Sequence, residues 1–236
     1  MNILIVNGSG AIGSSIIKGL NGKSVNPIIT SSTGEDVNGN KTVHWKYSGS
    51  DSVESLFESI KNDYSQLDSV INCLGSIFLK PAHLTTEKDF DEVLDINLKS
   101  SFLILKHAIP MMRKNGGNFL FFSSAASSIG MANHEAISAA KGGVEAMVRS
   151  AAATYAKNNI RVNAIAPGLV DSNLSKNIVS NEAALNVSKR MHSVGRIGTP
   201  DDISKFAIPL IVDNSSWVTG SIINIDGGLS TTKIAS

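Results

Sequence analysis

Residues 7–13 read Asn7-Gly8-Ser9-Gly10-Ala11-Ile12-Gly13 and connect a short apolar run, residues 2–6, to a helix-length segment, residues 12–20. The spacing Gly-x-Gly-x-x-Gly is that of a dinucleotide-binding turn between a strand and a helix. Glycines there let the backbone approach a pyrophosphate, whose charge is favoured at a helix N-terminus. The alternative is an ordinary glycine-rich turn. The strand–turn–helix context favours a phosphate site made by Gly8, Ser9, Gly10, Ile12 and Gly13.

Short apolar segments alternate with helix-length segments along the chain, a pattern typical of a parallel sheet covered by helices. The predicted strands are 2–6, 25–30, 42–46, 69–72, 118–122, 161–165 and 222–225. The predicted helices are 12–20, 52–62, 87–115, 136–158 and 200–212. Pro27 cannot donate to a strand ladder, so we expect it to mark the start of the second strand. The pattern predicts an α/β fold, a Rossmann-type, doubly wound, seven-stranded parallel sheet in a single domain over residues 1–236.

The composition limits the classes of partner. Charged residues make up 17% of the 236 residues and the formal net charge is +1, with no basic stripe, so neither nucleic acid nor a membrane is expected as a partner. The single Cys73 excludes an internal disulfide and a cysteine-based metal cage, and no metal site is predicted. No apolar run approaches the ~20 residues of a membrane span, and the N-terminal run is too short for a signal-peptide core. We expect a cytoplasmic protein.

The last third of the chain contains a helix start and an irregular segment. Thr199 followed by Pro200, Asp201 and Asp202 is a helix opening, with a capping residue, a proline in the first turn and acids at the positive end. Residues 173–195 are polar and interrupt the alternation, which predicts a mobile substrate lid over a cleft. Residues 76–86 are expected to shape the same pocket.

Several motifs, in order, resemble those of the short-chain dehydrogenase/reductase family over residues 2–228. They are Asn72-Cys73-Leu74-Gly75, Asp95-Ile96-Asn97-Leu98, Ser123-Ser124-Ala125, and the segments 161–168, 195–203 and 219–228. The resemblance implies an NAD(P)-dependent oxidoreductase that interconverts a carbonyl and an alcohol. It also implies that Asn72, Gly75, Lys141, Pro167 and Gly168 join the glycine turn in binding the cofactor.

The resemblance also implies catalytic roles. Ser124 would polarise the substrate carbonyl, Asn97 would hold a water in a proton relay, and Lys141 would bind the nicotinamide ribose. In the family a Tyr-x-x-x-Lys pair supplies the proton, and the lysine lowers the tyrosine pKa. In this sequence Lys141 is preceded four residues earlier by Ile137, which has no proton to give. The resemblance therefore identifies an atypical member that lacks the catalytic tyrosine.

Two replacements for that proton donor stay open. Imidazole is a side chain that can exchange a proton near neutral pH, and His134 shares a helix face with residues 137 and 141 if the helix already runs from 134. Its alternative role is that of a satisfied histidine at a loop end, or one that only binds substrate. The second possibility is that Ser124 and a water held by Asn97 and Lys141 deliver the proton. Beside the enzyme stand two other hypotheses: a catalytically silent cofactor sensor and a structural subunit.

Cofactor type and assembly follow from two further segments. Thr30-Ser31-Ser32-Thr33 follows the second strand without an acid before Glu35, and hydroxyls accept a 2′-phosphate more readily than a carboxylate does. Ser31 and Ser32 therefore favour NADP over NAD. Small residues on several faces of the predicted helix 136–158 permit close packing. Family members commonly pair this helix with its copy, which implies a homodimer or homotetramer.

Overall fold

The computed structural model describes residues 1–212 and 217–233. Its centre is a seven-stranded, wholly parallel sheet. The strands are β1 (Asn2–Val6), β2 (Asn26–Ser31), β3 (Thr42–His44), β4 (Ser69–Asn72), β5 (Gly117–Phe122), β6 (Ile160–Pro167) and β7 (Ile222–Ile225). Their order across the sheet is β3-β2-β1-β4-β5-β6-β7. The predicted fold class is confirmed, and all seven predicted strands are present with shifts of at most two residues at their ends.

The helices lie on both faces of the sheet. They are α1 (Ala11–Leu20), α2 (Ser50–Asp63), α3 (Glu87–Leu94), α4 (Ser100–Met112), α5 (Glu135–Tyr155), α6 (Lys176–Val179), α7 (Glu182–Met191) and α8 (Pro200–Val212). The α8 start predicted from Thr199 is present as a capping box. Asp202 N–H donates to the Thr199 hydroxyl at 3.3 Å, and Thr199 N–H donates to the Asp202 carboxylate at 2.8 Å.

Two apolar layers enclose the sheet, because successive strand side chains point to opposite faces. Leu4 and Val6 pack with α2, α4 and α5 on one face, and Ile3 and Ile5 pack with α1 and α8 on the other. All four side chains are fully buried. A sheet covered on both faces explains why its strands read as continuous apolar runs.

Three details differ from the sequence predictions. The predicted helix 87–115 is an α-helix only over α3 and α4, with a π-helical turn, Asp95–Lys99, between them, and it ends at Met112. Pro27 is the second residue of β2 rather than its first, and it pairs in register with Ile3. The segment 173–195 contains α6 and α7, whereas the sequence pattern had given no element there.

The functional edge of the sheet is set by its topology. Strand order reverses between β1 and β4, and parallel α/β sheets bind ligands at the carboxyl ends of the strands beside such a reversal. Within residues 1–212 and 217–233, no helix combines the length and the apolar character that crossing a bilayer requires.

Candidate active site

The glycine turn leaves the carboxyl end of β1 and opens α1. Asn7 adopts a left-handed conformation with φ 55°, and Gly8 N–H donates to the Thr30 carbonyl at 2.8 Å, which fixes the turn against β2. A Cβ added at Gly13 would lie 2.7 Å from the Gly8 carbonyl oxygen, so Gly13 permits the close approach of helix and turn. A Cβ at Gly10 would meet only the Asn7 carbonyl oxygen, at 3.7 Å. Gly10 therefore keeps the helix N-terminus open toward a ligand.

No described side chain caps the N-terminus of α1. The first N–H groups of a helix have no partner within the helix, and together with the helix dipole they favour an anion. The open turn and its free donors fit the pyrophosphate of a dinucleotide. Ser9 is exposed beside this turn, and Ile12 lines the cavity described below.

Alanine substitutions at the two glycines are expected to separate folding from binding. Gly13→Ala should lower the free energy of unfolding by about 2 kcal/mol or more, because its Cβ clashes with backbone atoms that cannot yield. Gly10→Ala should change stability by less than about 1 kcal/mol and still weaken NADPH binding about tenfold, because the methyl group occupies the anion site. Chemical denaturation and a fluorescence titration measure the two effects. Equal loss of stability in both variants would contradict this division of roles.

The end of β2 exposes one of the two predicted serines. Ser31 is fully buried, its hydroxyl lies 3.0 Å from the Thr33 hydroxyl, and it accepts from Thr33 N–H at 3.3 Å. Ser32 is exposed, and its carbonyl lies 3.1 Å from Nε2 of the exposed His44. The structure thus brings Ser32 and His44 to the surface together and leaves Ser31 to hold the turn.

Asn72 and Asn97 hold the segment that follows β4. Asn72 is buried; its amide donates to the Ser101 hydroxyl at 3.0 Å and its oxygen accepts from Leu74 N–H at 3.1 Å. Asn97, also buried, donates to the Ser76 hydroxyl at 2.8 Å and to the Val93 carbonyl at 3.0 Å, and accepts from Ser76 N–H at 3.0 Å. Both amide hydrogens of Asn97 are committed to protein acceptors. It can therefore interact with a water only through its oxygen.

Lys141 is a buried ammonium beside that segment. Lys141 is 8% exposed, and its Nζ donates a hydrogen bond to the Phe122 carbonyl at 2.9 Å. An added Cβ on Gly75 would lie 3.4 Å from Nζ, which places Gly75 next to the amine. Burial lowers the pKa of Lys141 to about 8. The amine is thus held close to its titration range at neutral pH.

The two serines after β5 have different surroundings. Ser123 is buried, and its hydroxyl donates to the Glu145 carboxylate at 2.7 Å. Ser127 donates to the same carboxylate oxygen. The Ser124 hydroxyl only accepts from Ala126 N–H, at 3.2 Å, so its own proton is free to be donated. Ser124, rather than Ser123, can polarise a carbonyl.

Ile137 and His134 lie at the start of α5. Ile137 is 6% exposed and packs with Val93, Ala136 and Ala140. His134 is the N-cap residue, and its carbonyl accepts from Ser138 N–H at 2.8 Å. The helix begins at Glu135 and not at residue 134, so the condition for a helix face shared by residues 134, 137 and 141 is not met. His134 Nδ1 lies 2.7 Å from the Ala132 carbonyl. Because a carbonyl only accepts, Nδ1 carries a proton, and Nε2 is the nitrogen available to a ligand.

Seven of the fifteen predicted site residues line two adjoining cavities. The inner cavity, about 180 Å³, lies among Ile12, Gly75, Ser124, Lys141 and Gly168. The outer cavity, about 520 Å³, extends from it past His134 to helix α7. The two share six lining residues, which are Ile77, Ser124, Ile137, Pro167, Gly168 and Leu169. Gly8, Ser9, Gly10 and Gly13 lie on the turn that contains Ile12. The predicted residues Ser31, Ser32, Asn72 and Asn97 line neither cavity.

The structure adds His192, which the sequence analysis missed. It is 3% exposed and lines the outer cavity; Nδ1 lies 2.6 Å from the Ser188 carbonyl, and Nε2 accepts from Leu169 N–H at 3.2 Å. It therefore joins the 173–195 segment to the turn after β6. A Cβ at Gly168 would lie 2.5 Å from its Nε2, so glycine is needed there. The only hint in the sequence was a lone histidine within a polar segment.

The surroundings of Cys73, the single cysteine, do not favour a role as a nucleophile. Cys73 lines the inner cavity, and burial raises the pKa of its thiol to about 12. The reactive form of cysteine is the thiolate, which is negligible at neutral pH with such a pKa. Cys73 is a packed residue of the cavity wall.

This fold and cavity pair define a Rossmann-type protein with a candidate dinucleotide site. The family model described as Enoyl-(Acyl carrier protein) reductase matches residues 23–230. The chain belongs to the short-chain dehydrogenase/reductase family. The glycine turn at residues 7–13 lies outside the matched range.

Two relatives and one solved structure are similar to the chain over most of its length. It is 31% identical over 182 residues to the 3-oxoacyl-[acyl-carrier-protein] reductase FabG of Thermotoga maritima, covering 76% of this chain and 72% of that protein. It is 30% identical over 179 residues to a chloroplastic tropinone reductase homolog of Arabidopsis thaliana, covering 75% of this chain but only 56% of that protein. The structure of ElxO with NADP bound superimposes with a TM-score of 0.89 at 23% identity, covering 98% of this chain and 99% of that one. This last likeness shows the shared fold.

Proposed function

We propose that this protein is an NADP(H)-dependent oxidoreductase that interconverts a carbonyl and an alcohol with a proton donor other than tyrosine. The observation that carries the proposal is the inner cavity, where the buried Lys141 and the free hydroxyl of Ser124 meet Ile12 of the glycine turn. The reductase names of the family relatives support the reaction class.

The residues that would hold the cofactor form one path along the sheet edge. Gly8, Ser9, Gly10 and Gly13 would bind the pyrophosphate, with Ser32 and His44 beside the adenosine ribose. Lys141 would bind the nicotinamide ribose, and Pro167 and Gly168 would border the nicotinamide ring. When bound, the cofactor supplies or accepts a hydride. The absence of an acid before Glu35 and the NADP in ElxO support the phosphorylated cofactor.

Side chains of the protein would bind the carbonyl oxygen of the substrate and supply its proton. The Ser124 hydroxyl would donate a hydrogen bond to it, which polarises the carbonyl. In this proposal Ile137 stands in the position of the family tyrosine, four residues before Lys141, and cannot protonate that oxygen. His134 lines the same outer cavity as Ser124, so its Nε2 is one alternative proton donor. The other is Ser124 with a water held by Lys141 and by the oxygen of Asn97.

A fluorescence titration with NADPH and, in parallel, with NADH tests the proposal. Saturable binding with a tighter Kd for NADPH is the expected result, and Ser32→Asp should reverse the preference by placing a carboxylate against the 2′-phosphate. Failure of the folded protein to bind either cofactor would refute the proposal and favour a structural subunit.

A second candidate function is a catalytically silent cofactor sensor. It is favoured by one observation: the Ile137 side chain has no proton that it could donate, while Lys141 and the open glycine turn are both present. A sensor would bind NADPH but oxidise none of it with any carbonyl compound tested. Single-turnover measurements with a saturating ketone distinguish it from a slow enzyme.

His134 is expected to contribute to turnover if it is the donor. His134→Ala should lower kcat about tenfold or more, toward the range that general acid catalysis contributes. His134→Asn keeps a polar group near the Ala132 carbonyl without a titratable ring, and it should lose as much activity. Recovery of activity in His134→Asn would show that residue 134 only positions the loop. The activity–pH profile of the wild type is compared with the profiles of both variants, which should lack the dependence that the imidazole contributes.

The lid and the assembly are parts of the same proposal. Helix α7 lies in the predicted lid segment 173–195 and lines the outer cavity, which supports a role in covering substrate. Pairing of α5 with its copy in a homodimer or homotetramer stays a prediction.

A further inference from the structure

The outer cavity carries no charged wall. Among the described residues that line it, the only ionisable side chains are His134 and His192; no Asp, Glu, Lys or Arg contributes. Its volume of about 520 Å³ lies within the range of small-molecule sites. Four large apolar side chains around it are 39–48% exposed, namely Ile77, Leu79, Val187 and Met191. Apolar side chains exposed together mark a surface that a ligand covers.

Helix α7 presents one side to this cavity. Ala184, Val187, Ser188 and Met191 follow a spacing of three, four and seven residues and all line the cavity. The charged residues of the same helix, Glu182, Lys189 and Arg190, do not line it. The helix therefore directs its charges away from whatever binds beneath it.

The two histidines do not provide a charge to the apolar part of the wall. Nε2 of His192 accepts from Leu169 N–H, so this nitrogen is unprotonated, and its Nδ1 is bonded to the Ser188 carbonyl. His192 is thus neutral with both nitrogens satisfied. His134 lies near the junction with the inner cavity, where Ser124 also stands. Besides the two histidines, the polar side chains that line the outer cavity are Ser124, Asn133 and Ser188, so its hydrogen-bonding groups are few.

We infer that the outer cavity binds an uncharged, mainly apolar ketone or alcohol whose one reacting oxygen lies at Ser124. This inference rests on the proposed function, which takes Ser124 as the carbonyl-binding group. A carboxylate or phosphate far from that oxygen would be buried against apolar side chains without a partner, and an unpaired buried charge is strongly unfavourable. A polyhydroxylated sugar would leave its hydroxyls unpaired in the same way.

Isothermal titration calorimetry on the NADP⁺-loaded protein tests the inference without turnover, because NADP⁺ has no hydride to transfer to a ketone. The probes are 2-acetylnaphthalene and 6-acetyl-2-naphthoate, which differ only by a carboxylate, and glucose. We expect 2-acetylnaphthalene to bind at least about tenfold more tightly than the carboxylate, a difference of about 1.4 kcal/mol, and glucose not to bind. Equal or tighter binding of the carboxylate, binding of glucose in preference to the ketone, or no binding of either naphthyl compound would overturn the inference.

A charge placed on α7 gives a second, independent measurement. Val187→Lys should weaken binding of 2-acetylnaphthalene and strengthen binding of 6-acetyl-2-naphthoate, each about fivefold or more. Asn186→Lys is the matched control, because Asn186 is an exposed neighbour that does not line the cavity. Identical effects of the two lysines would show that α7 does not contact the ligand.

Different experimental results would overturn this inference and the proposed function. Loss of NADPH binding refutes the oxidoreductase, whatever the naphthyl compounds do. Normal NADPH binding with a preference for the charged or hydroxylated probe leaves the oxidoreductase in place and overturns the apolar substrate class.

Discussion

Replacing Ile137 with tyrosine is expected to raise the rate of carbonyl reduction about 100-fold over replacement with phenylalanine, because a positioned general acid contributes a factor of this order. Residues 137 and 141 are one helical turn apart, and both line the inner cavity with Ser124. The introduced hydroxyl would lie near the Lys141 ammonium and the oxygen of a carbonyl held by Ser124. The Ile137→Phe variant has the same ring without the hydroxyl, so it controls for the added bulk.

The measurement is NADPH oxidation with 2-acetylnaphthalene at saturating cofactor. A readout independent of substrate is the absorbance of the introduced tyrosine, whose pKa should lie below the ordinary value of about 10 because of the neighbouring ammonium. Both variants are expected to lose some stability, about 1–3 kcal/mol, from packing a ring where an isoleucine sits. Equal rates for Ile137→Tyr and Ile137→Phe, with both proteins folded, would show that position 137 does not address the carbonyl oxygen.

Lys141→Met is expected to make the protein more stable at neutral pH while it impairs cofactor binding. Burial lowers the pKa of Lys141 from 10.5 to about 8. A pKa difference of this size corresponds to roughly 3 kcal/mol against the folded state while the native amine is charged. The bond from Nζ to the Phe122 carbonyl, which methionine cannot replace, offsets about 1 kcal/mol of the gain. We expect Lys141→Met to be more stable by about 2 kcal/mol at pH 7.

The stability advantage of Lys141→Met over the wild type is expected to depend on pH. Between pH 8 and 10.5 the unfolded wild-type chain holds a proton that the native Lys141 has released, so wild-type stability rises with pH in this window. The advantage of Lys141→Met should therefore shrink between pH 8 and pH 10.5. Urea denaturation of both proteins at several pH values measures the difference. A difference in unfolding free energy that stays constant between pH 8 and pH 10.5 would mean that burial does not lower the pKa of Lys141.

Cofactor affinity should change in the opposite direction from stability. Loss of a charge-assisted bond to the ribose hydroxyls is expected to weaken NADPH binding about tenfold or more. Lys23→Met removes an exposed lysine and should alter neither quantity. Unchanged NADPH binding in Lys141→Met would remove this lysine from the proposed cofactor site.

The strands of the sheet could be predicted from the sequence, because the signals for a strand are local. Apolar runs bounded by turn residues predicted seven strands, and their alternation with helices predicted that the strands run parallel, whereas their order across the sheet is known only from the structure. The glycine spacing located the turn after β1, since a close approach such as that of Gly13 to Gly8 needs glycine whatever lies further along the chain. The start of α8 followed from Thr199 and the residues directly after it.

Tertiary structure decided which polar groups are free, because that depends on partners distant in sequence. Ser123 and Ser124 are adjacent in the sequence, yet Ser123 is bonded to Glu145, 22 residues away, while Ser124 keeps its proton. Ser31 and Ser32 are likewise adjacent, yet the packing of the fold buries Ser31 and leaves Ser32 exposed. The burial that lowers the pKa of Lys141 and the contact that brings His192 to Leu169 arise only when separate elements pack. Local patterns encode elements, whereas desolvation and hydrogen-bond satisfaction are properties of the packed molecule.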